Sequence, residues 1–277
     1  MHYTVLGSNG FIGRHVAEAL RRRGHIPFCP AKGENISNRD LGLAFYCIGL
    51  TADFRQKPLE AVEAHVCVLN RVLREASFDR LIYLSSTRVY AGLRGPVNED
   101  VVLTVNPNDP SDLYNISKLM GESACLNSGR STAIARLSNV VGLDFLSDNF
   151  ISVLIREAYD NKLIQLHSAA ESAKDFILLE DAVQAIVVLG ERAGSKPIYN
   201  IASGRKLTGE EICKAIAGVA NCSWEVVPGA PLLSFPDIDI SRARTDLGLE
   251  PGDVLGALGE LVRLYREEKG VEHGYTH

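Results

Sequence analysis

Three glycines near the start of the chain constrain its fold more than any other feature. Gly7-Ser8-Asn9-Gly10-Phe11-Ile12-Gly13 follows a short apolar run, Tyr3 to Leu6, and opens a segment with Ile12, Val16 and Leu20 on one helix face. A strand that turns through glycine directly into a helix has few ways to continue. The first glycine permits the tight turn, the second lets the backbone approach an anion, and the third lets the helix lie close to the strand. The helix N-terminus then presents free N–H groups to that anion. The spacing is G-x-x-G-x-x-G, not G-x-G-x-x-G. A tight strand-to-helix turn without any ligand is the plain alternative.

The alternation of signals carries on from there. Strands are expected at Tyr3 to Leu6, His25 to Cys29 (interrupted by Pro27), Leu43 to Ile48, Leu81 to Leu84 and Thr132 to Leu137. Helices are expected from Phe11 to Arg23, from Pro58 to about Ala76 with Leu59, Val62, Val66, Leu69 and Leu73 inward, and from Ser111 to about Leu126. Such alternation predicts an α/β fold: a doubly wound parallel sheet of the Rossmann type with helices on both faces. After Gly142 the order changes. Phe150 to Asn161 and Asp181 to Arg192 read as helices, Asp175 to Leu179 and Pro197 to Ala202 as strands. Thr208-Gly-Glu-Glu211 reads as a capping box opening a helix to Ala220. Gly229 to Pro236 reads as a loop, Val254 to Glu268 as a closing helix and Gly270 to His277 as a loose tail. Residues 1–142 are thus expected to form the dinucleotide-binding domain, with 176–202 packing back onto it. Residues 143–277 are expected to form mainly a smaller C-terminal α/β substrate lobe.

Composition excludes some classes. The net charge of −5 leaves no electrostatic footprint for nucleic acid. No apolar run approaches the length needed to cross a bilayer, and no leader segment is visible. The six cysteines form no C-x-x-C pair and join no histidine cluster, so no metal site is expected. Free thiols in a reducing cytoplasm are the simplest reading.

Tyr114-Asn-Ile-Ser-Lys118 stands at the start of an expected helix. Residues four apart share a face, so phenol and ammonium point the same way. A nearby positive charge lowers a phenol's pKa from about 10, fitting it for proton exchange with a sugar hydroxyl. Lys118 is also placed to hydrogen-bond a nicotinamide ribose. Ser86, at the end of the strand Leu81 to Leu84, can give the reacting oxygen a second hydrogen bond. Ligands of open parallel sheets gather at such strand ends. Where an acid usually meets the ribose hydroxyls, the chain has Pro30-Ala31-Lys32-Gly33-Glu34. Lys32 facing a 2′-phosphate favours NADP over NAD. A loop that brings Glu34 back reverses that, and a solvated Lys32 is the bland alternative.

These motifs, with Leu84-Ser-Ser-Thr-Arg-Val-Tyr90 and Arg136-Leu-Ser-Asn-Val-Val-Gly142, resemble the extended short-chain dehydrogenase/reductases. Within them the chain is similar to the NAD-dependent epimerase/dehydratase family acting on nucleotide sugars. Asp175-Phe-Ile-Leu-Leu-Glu-Asp181, Tyr199-Asn-Ile-Ala and Arg242-Ala-Arg-Thr-Asp-Leu-Gly248 match that family's later landmarks. The resemblance implies that Ser86, Tyr114 and Lys118 are catalytic. It implies a cofactor held by Gly7, Asn9, Gly10, Phe11, Ile12 and Gly13 together with Tyr114 and Lys118, Lys32 and Asp40 being candidates at its adenosine end. Substrate contacts are expected from Ser86, Arg88, Asn139 and Arg242, and a homodimer is common. Three departures stand out. The stretch before Leu43 is short for a full strand and helix. His65 replaces a frequent asparagine and reads either as a satisfied core histidine or as a cofactor-side donor. Thr87-Arg88 takes the place of the Asp-Glu pair with which 4,6-dehydratases eliminate water. The expected activity is a 4-ketoreductase or epimerase on a nucleotide sugar. A non-catalytic cofactor-binding sensor or interaction protein is the alternative.

Overall fold

The computed structural model describes residues 2–50, 54–145, 147–192 and 195–274. Its centre is a five-stranded parallel sheet in the order β1-β2-β3-β5-β9. The first half of the chain supplies β1 (Tyr3–Leu6), α1 (Phe11–Arg22), β2 (Leu43–Tyr46), α2 (Pro58–Val62), α3 (Val68–Glu75), β3 (Arg80–Ser86), the short β4 (Pro96–Val97), α4 (Asp112–Asn127) and β5 (Thr132–Leu137). A π-helical turn, Glu63–Cys67, joins α2 to α3, and a 3₁₀ turn, Thr87–Tyr90, follows β3. The second half supplies β6 (Asn139–Val141), α5 (Phe150–Asp160), β7 (Leu163–Leu166), β8 (Ala173–Leu178), α6 (Leu179–Glu191), β9 (Ile198–Ile201), β10 (Lys206–Thr208), α7 (Gly209–Ala220), β11 (Ser223–Val226), β12 (Asp237–Ile238), α8 (Ser241–Leu247) and α9 (Val254–Gly274).

The strands look uniformly apolar because both faces of the sheet are covered. Alternate residues nevertheless serve different cores. Tyr3, Val5, Leu43, Phe45, Ile82, Ala133 and Ala135 pack with α1 and α6. Ala44, Tyr46, Leu81, Tyr83 and Ile134 pack with α3 and α4 on the other face. A separate core holds α5, α7 and α9 around Phe176 and Leu258. There β6, β8 and β10 form a three-stranded sheet, parallel between β6 and β8 and antiparallel between β8 and β10. Thr208 and Glu211 form the capping box that opens α7.

Three local expectations are corrected. His25 to Cys29 forms no strand; a single bridge joins Phe28 to Thr4, through Phe28 N–H to Tyr3 O at 2.8 Å and Val5 N–H to Phe28 O at 2.9 Å. Pro27 has no N–H to extend the ladder. Leu59 does not face inward but is 79% exposed. The wide π turn changes the phase of the helix, so that Ala61, His65, Leu69 and Leu73 are its buried line. The closing helix runs to Gly274, six residues past the expected Glu268; the remainder of the expected tail, 275–277, lies outside the described residues.

Candidate active site

The glycine bend is shaped by backbone crowding. Gly7 has φ +82°, and a Cβ there would lie 2.9 Å from the Cys47 carbonyl carbon and from the Ile48 nitrogen. A Cβ on Gly13 would collide with the Gly7 carbonyl oxygen. Gly10 differs: a Cβ there would approach only the Gly7 oxygen, at 3.4 Å, so the space above it is open. Gly10 caps α1 without any side-chain hydrogen bond, and the first turn carries no acid. The free N–H groups of Phe11, Ile12 and Gly13 therefore meet the open side of the bend, which suits a pyrophosphate. Asn9 is exposed in the turn itself.

Tyr114, Lys118 and Ser86 come together at the carboxyl end of β3. Tyr114 is 4% exposed and Lys118 also 4%. The Lys118 ammonium lies 5.9 Å from the centre of the Tyr114 ring and donates to the Leu84 carbonyl at 2.9 Å. Burial pushes the Tyr114 phenol up to about 12, opposed by the Ser86 hydroxyl beside it and then by the charge of Arg88. Burial pulls the Lys118 ammonium down to about 7, opposed by Glu122 and Cys47. Arg88 is thus a second cation beside the phenol, in addition to Lys118, to which the helix spacing pointed. Ser86 accepts the Arg88 N–H at 3.2 Å and opens the 3₁₀ turn.

His65 sits behind this group. Its Nε2 accepts the Leu50 N–H at 3.2 Å, so Nδ1 carries the proton and donates to Ser117 Oγ at 2.8 Å. Ser117 then donates to the Tyr114 carbonyl at 2.8 Å. Both ring nitrogens are engaged inside the protein, so His65 is a satisfied core histidine rather than a cofactor-side donor. Burial and then the Lys118 charge lower its pKa to about 3. Further down α4, Glu122 grips Arg136 through two hydrogen bonds of 3.0 and 2.6 Å and also accepts from Ser85. This pair, four residues along α4 from Lys118, went unnoticed in the sequence, although Arg136 opens the Arg-Leu-Ser-Asn motif. Phe54, Arg55 and Lys174 were not singled out in the sequence: Phe54 and Arg55 stand in a loop outside any motif, and Lys174 lies one residue before the Asp175 landmark.

The remaining candidates divide. Asn139 is exposed at the mouth of the site and donates to the Asp175 carbonyl at 2.7 Å. Arg88 lines the site next to Tyr114. Lys32 is exposed on the loop after the Phe28 bridge. Asp40 is corrected: it precedes β2, at the end of the sheet opposite the glycine bend, where its carboxylate accepts the Gly42 N–H at 3.0 Å. Arg242 is corrected as well. It donates to the Ile198 carbonyl at 3.0 Å and pairs with Asp100 at 2.7 Å, while Glu99 accepts the Asn200 N–H at 2.9 Å. These groups cover the open edge of β9.

A parallel α/β sheet with a glycine bend after its first strand and a Ser-Tyr-Lys group at the end of its third, its Tyr and Lys buried, defines an extended short-chain dehydrogenase/reductase. The chain belongs to the NAD-dependent epimerase/dehydratase family, whose model matches residues 47–202. It is 29% identical over 209 residues to dTDP-4-dehydro-6-deoxyglucose reductase of Escherichia coli, covering 71% of this chain and 64% of that one. The chain therefore matches just under two thirds of that relative's length. It is 25% identical to Uncharacterized UDP-glucose epimerase YtcB of Bacillus subtilis (strain 168), covering 92% of this chain and 94% of that one. The structure of MoeE5 in complex with UDP-glucuronic acid and NAD shares the fold, with a TM-score of 0.85 at 20% identity over 97% of this chain and 100% of that one.

Proposed function

We propose that this chain oxidises or reduces a ring carbon of a nucleotide sugar, as a 4-ketoreductase or an epimerase. The observation that carries the reading is the meeting of Tyr114, Ser86 and Lys118 beside the glycine bend. A dinucleotide fits that bend, because only Gly10 is open while Gly7 and Gly13 are closed by backbone. Gly7 to Gly13 would hold its phosphates, and Tyr114 and Lys118 its nicotinamide end. The bound nicotinamide supplies the hydride donor or acceptor.

With its pKa raised, Tyr114 is protonated at neutral pH, the state needed to give a proton to a keto oxygen. Ser86 offers a second hydrogen bond to the same oxygen. Lys118 titrates near neutrality and carries charge when the site fills with anionic phosphate. Asn139 stands on the diphosphate side of the mouth, and residues after Gly142 form the substrate lobe. Arg88 occupies the place where a dehydratase needs a proton-donating acid. Arginine does not release its proton at working pH, which argues against 4,6-dehydration.

The Glu34 carboxylate is tied to the Ala31 N–H at 2.9 Å and to Arg39 at 3.3 Å, and Arg39 lies over the Phe28 ring. With that acid engaged and Lys32 free in solvent, the loop suits a 2′-phosphate, hence NADP over NAD. Among the described residues no helix is long and apolar enough to cross a membrane. The free thiols fit the cytoplasm. Exposed Leu59 and Met120, on the adjoining helices α2 and α4, suit contact with a second copy.

Tyr114→Phe tests the mechanism. It should keep dinucleotide binding by titration and lose turnover by roughly a hundredfold or more. Full turnover in that variant removes Tyr114 from the chemistry; a wild type that binds the dinucleotide but turns over no nucleotide sugar leaves the cofactor-binding protein as the reading.

A further inference from the structure

Two guanidinium groups from distant parts of the chain stack on one aromatic ring beside the catalytic phenol, and a third cation lies near enough to feel their charge. Phe54 is 5% exposed, and its ring packs on that of Tyr114 at 4.9 Å between centres. The guanidinium of Arg55 lies over the same Phe54 ring at 4.6 Å, and that of Arg88 at 5.4 Å. Lys174, on β8, holds its ammonium 5.4 Å from the rings of both Phe150 and Phe235. Arg88 Nε is buried and has no hydrogen-bond partner among the described residues. The charges feel one another: after burial, Arg55 lowers the pKa of Arg88, and Arg88 and Arg55 lower that of Lys174.

Asp109 and Asp112 also act on Arg88 and partly offset this repulsion, while their oxygens take hydrogen bonds from the neighbouring loop and the start of α4. Asp109 accepts the Ser111 N–H at 2.8 Å, and Asp112 accepts from Asn106 N–H at 2.8 Å and Asn115 Nδ2 at 2.7 Å. An overall acidic chain has thus gathered like positive charges, one with an orphaned N–H, at its active site. Such an arrangement repels itself and leaves a desolvated donor unpaired. An anion seated among the three relieves both.

We propose that the sugar of the substrate carries a carboxylate next to the reacting carbon, received by Arg88 with Arg55 and Lys174 around it. The inference rests on the nucleotide-sugar reading above. Position separates this carboxylate from the diphosphate. Arg88 is two residues from Ser86 and shares the Phe54 ring with Tyr114, so it reaches substituents beside the reacting carbon. The diphosphate hangs from the anomeric carbon.

The test measures binding by calorimetry for three ligands on one nucleoside diphosphate: the hexuronate, the neutral hexose and the free diphosphate. UDP and dTDP series are both run, with the cofactor present. The wild type should prefer the hexuronate to the hexose by roughly ten- to a hundredfold, the scale of a charge-assisted hydrogen bond. Arg88→Gln, and independently Lys174→Met, should lower that preference about tenfold or more. A wild type that binds the neutral hexose as well as the hexuronate overturns the proposal. So does a variant whose loss is equal for all three ligands, which assigns the cations to the diphosphate. In both of those outcomes the nucleotide-sugar reading survives. If cofactor binds but no nucleotide sugar does in either series, that reading falls and the carboxylate site with it.

Discussion

His65 shows how much of the site depends on one buried group. It is fully buried, neutral and committed at both nitrogens, to Leu50 N–H and to Ser117. Its pKa in the folded state is about 3, against about 6.5 in an unfolded chain. As pH falls below 6.5 the unfolded chain takes up a proton that the folded one refuses. Stability is therefore lost on acidification, by up to about 1.4 kcal/mol per pH unit until the folded value is reached. Asparagine offers a donor and an acceptor and does not titrate. Between pH 6.5 and 4.5 the unfolding free energy in urea should fall by about 2 to 3 kcal/mol more for the wild type than for His65→Asn. Equal losses would mean that folded His65 accepts protons freely. At the same scale, Lys32→Ala should raise the Kd for NADP several-fold and leave that for NAD nearly unchanged, because a 2′-phosphate is the only difference between them. An equal effect on both places Lys32 elsewhere.

The glycine bend is an element whose three glycines have separable roles. Gly10 has φ −79°, which alanine adopts without strain, and its Cβ space is open. Gly13 is closed by the Gly7 carbonyl. Gly10→Ala should keep its melting temperature close to that of the wild type and lose dinucleotide affinity by about tenfold or more, by placing a methyl where a phosphate approaches. Gly13→Ala should lower stability by about 1 to 3 kcal/mol, the usual cost of overpacking. A Gly10→Ala variant with native affinity would show that no phosphate lies over that residue. The π turn in the long helix is the second element of consequence. It sets His65 and Ala61 on the buried line and turns Leu59 out, at the level where α4 presents Tyr114 and Ser117.

In the whole molecule, the central sheet is completed only late in the chain. β9 is its fifth strand, and α6 covers the face where Val5, Phe45 and Ile82 are buried. Ile177, Leu179, Ile186, Val187 and Ile201 all belong to that core. A chain ending at Gly142 would leave this face covered by α1 alone and the β9 side of β5 unpaired. It should show no cooperative thermal unfolding, whereas the full chain does; a sharp transition in the short chain would mean that the first half folds without α6 and β9.

The parallel α/β class, the glycine turn that opens the first helix and the shared helix face of Tyr114 and Lys118 were determined by sequence alone, because glycine geometry, apolar periodicity and the four-residue helix spacing are local. Ser86 could also be placed, since an active-site serine at a strand end follows from the direction of a parallel sheet. The His25 to Cys29 segment misled because propensity says nothing about whether a neighbouring layer exists to bury Ile26, which is 93% exposed. Asp40 misled because sequence distance does not say at which end of a sheet a residue lies. Arg242 misled because its true partners, Glu99 and Asp100, come from a loop far back in the chain. Tertiary packing alone decided that Arg88 joins Lys118 beside the phenol, and that Arg55 and Arg88 stack on one Phe54 ring. Electrostatic neighbourhoods depend on which surfaces the fold presses together, and no local pattern in the chain encodes that.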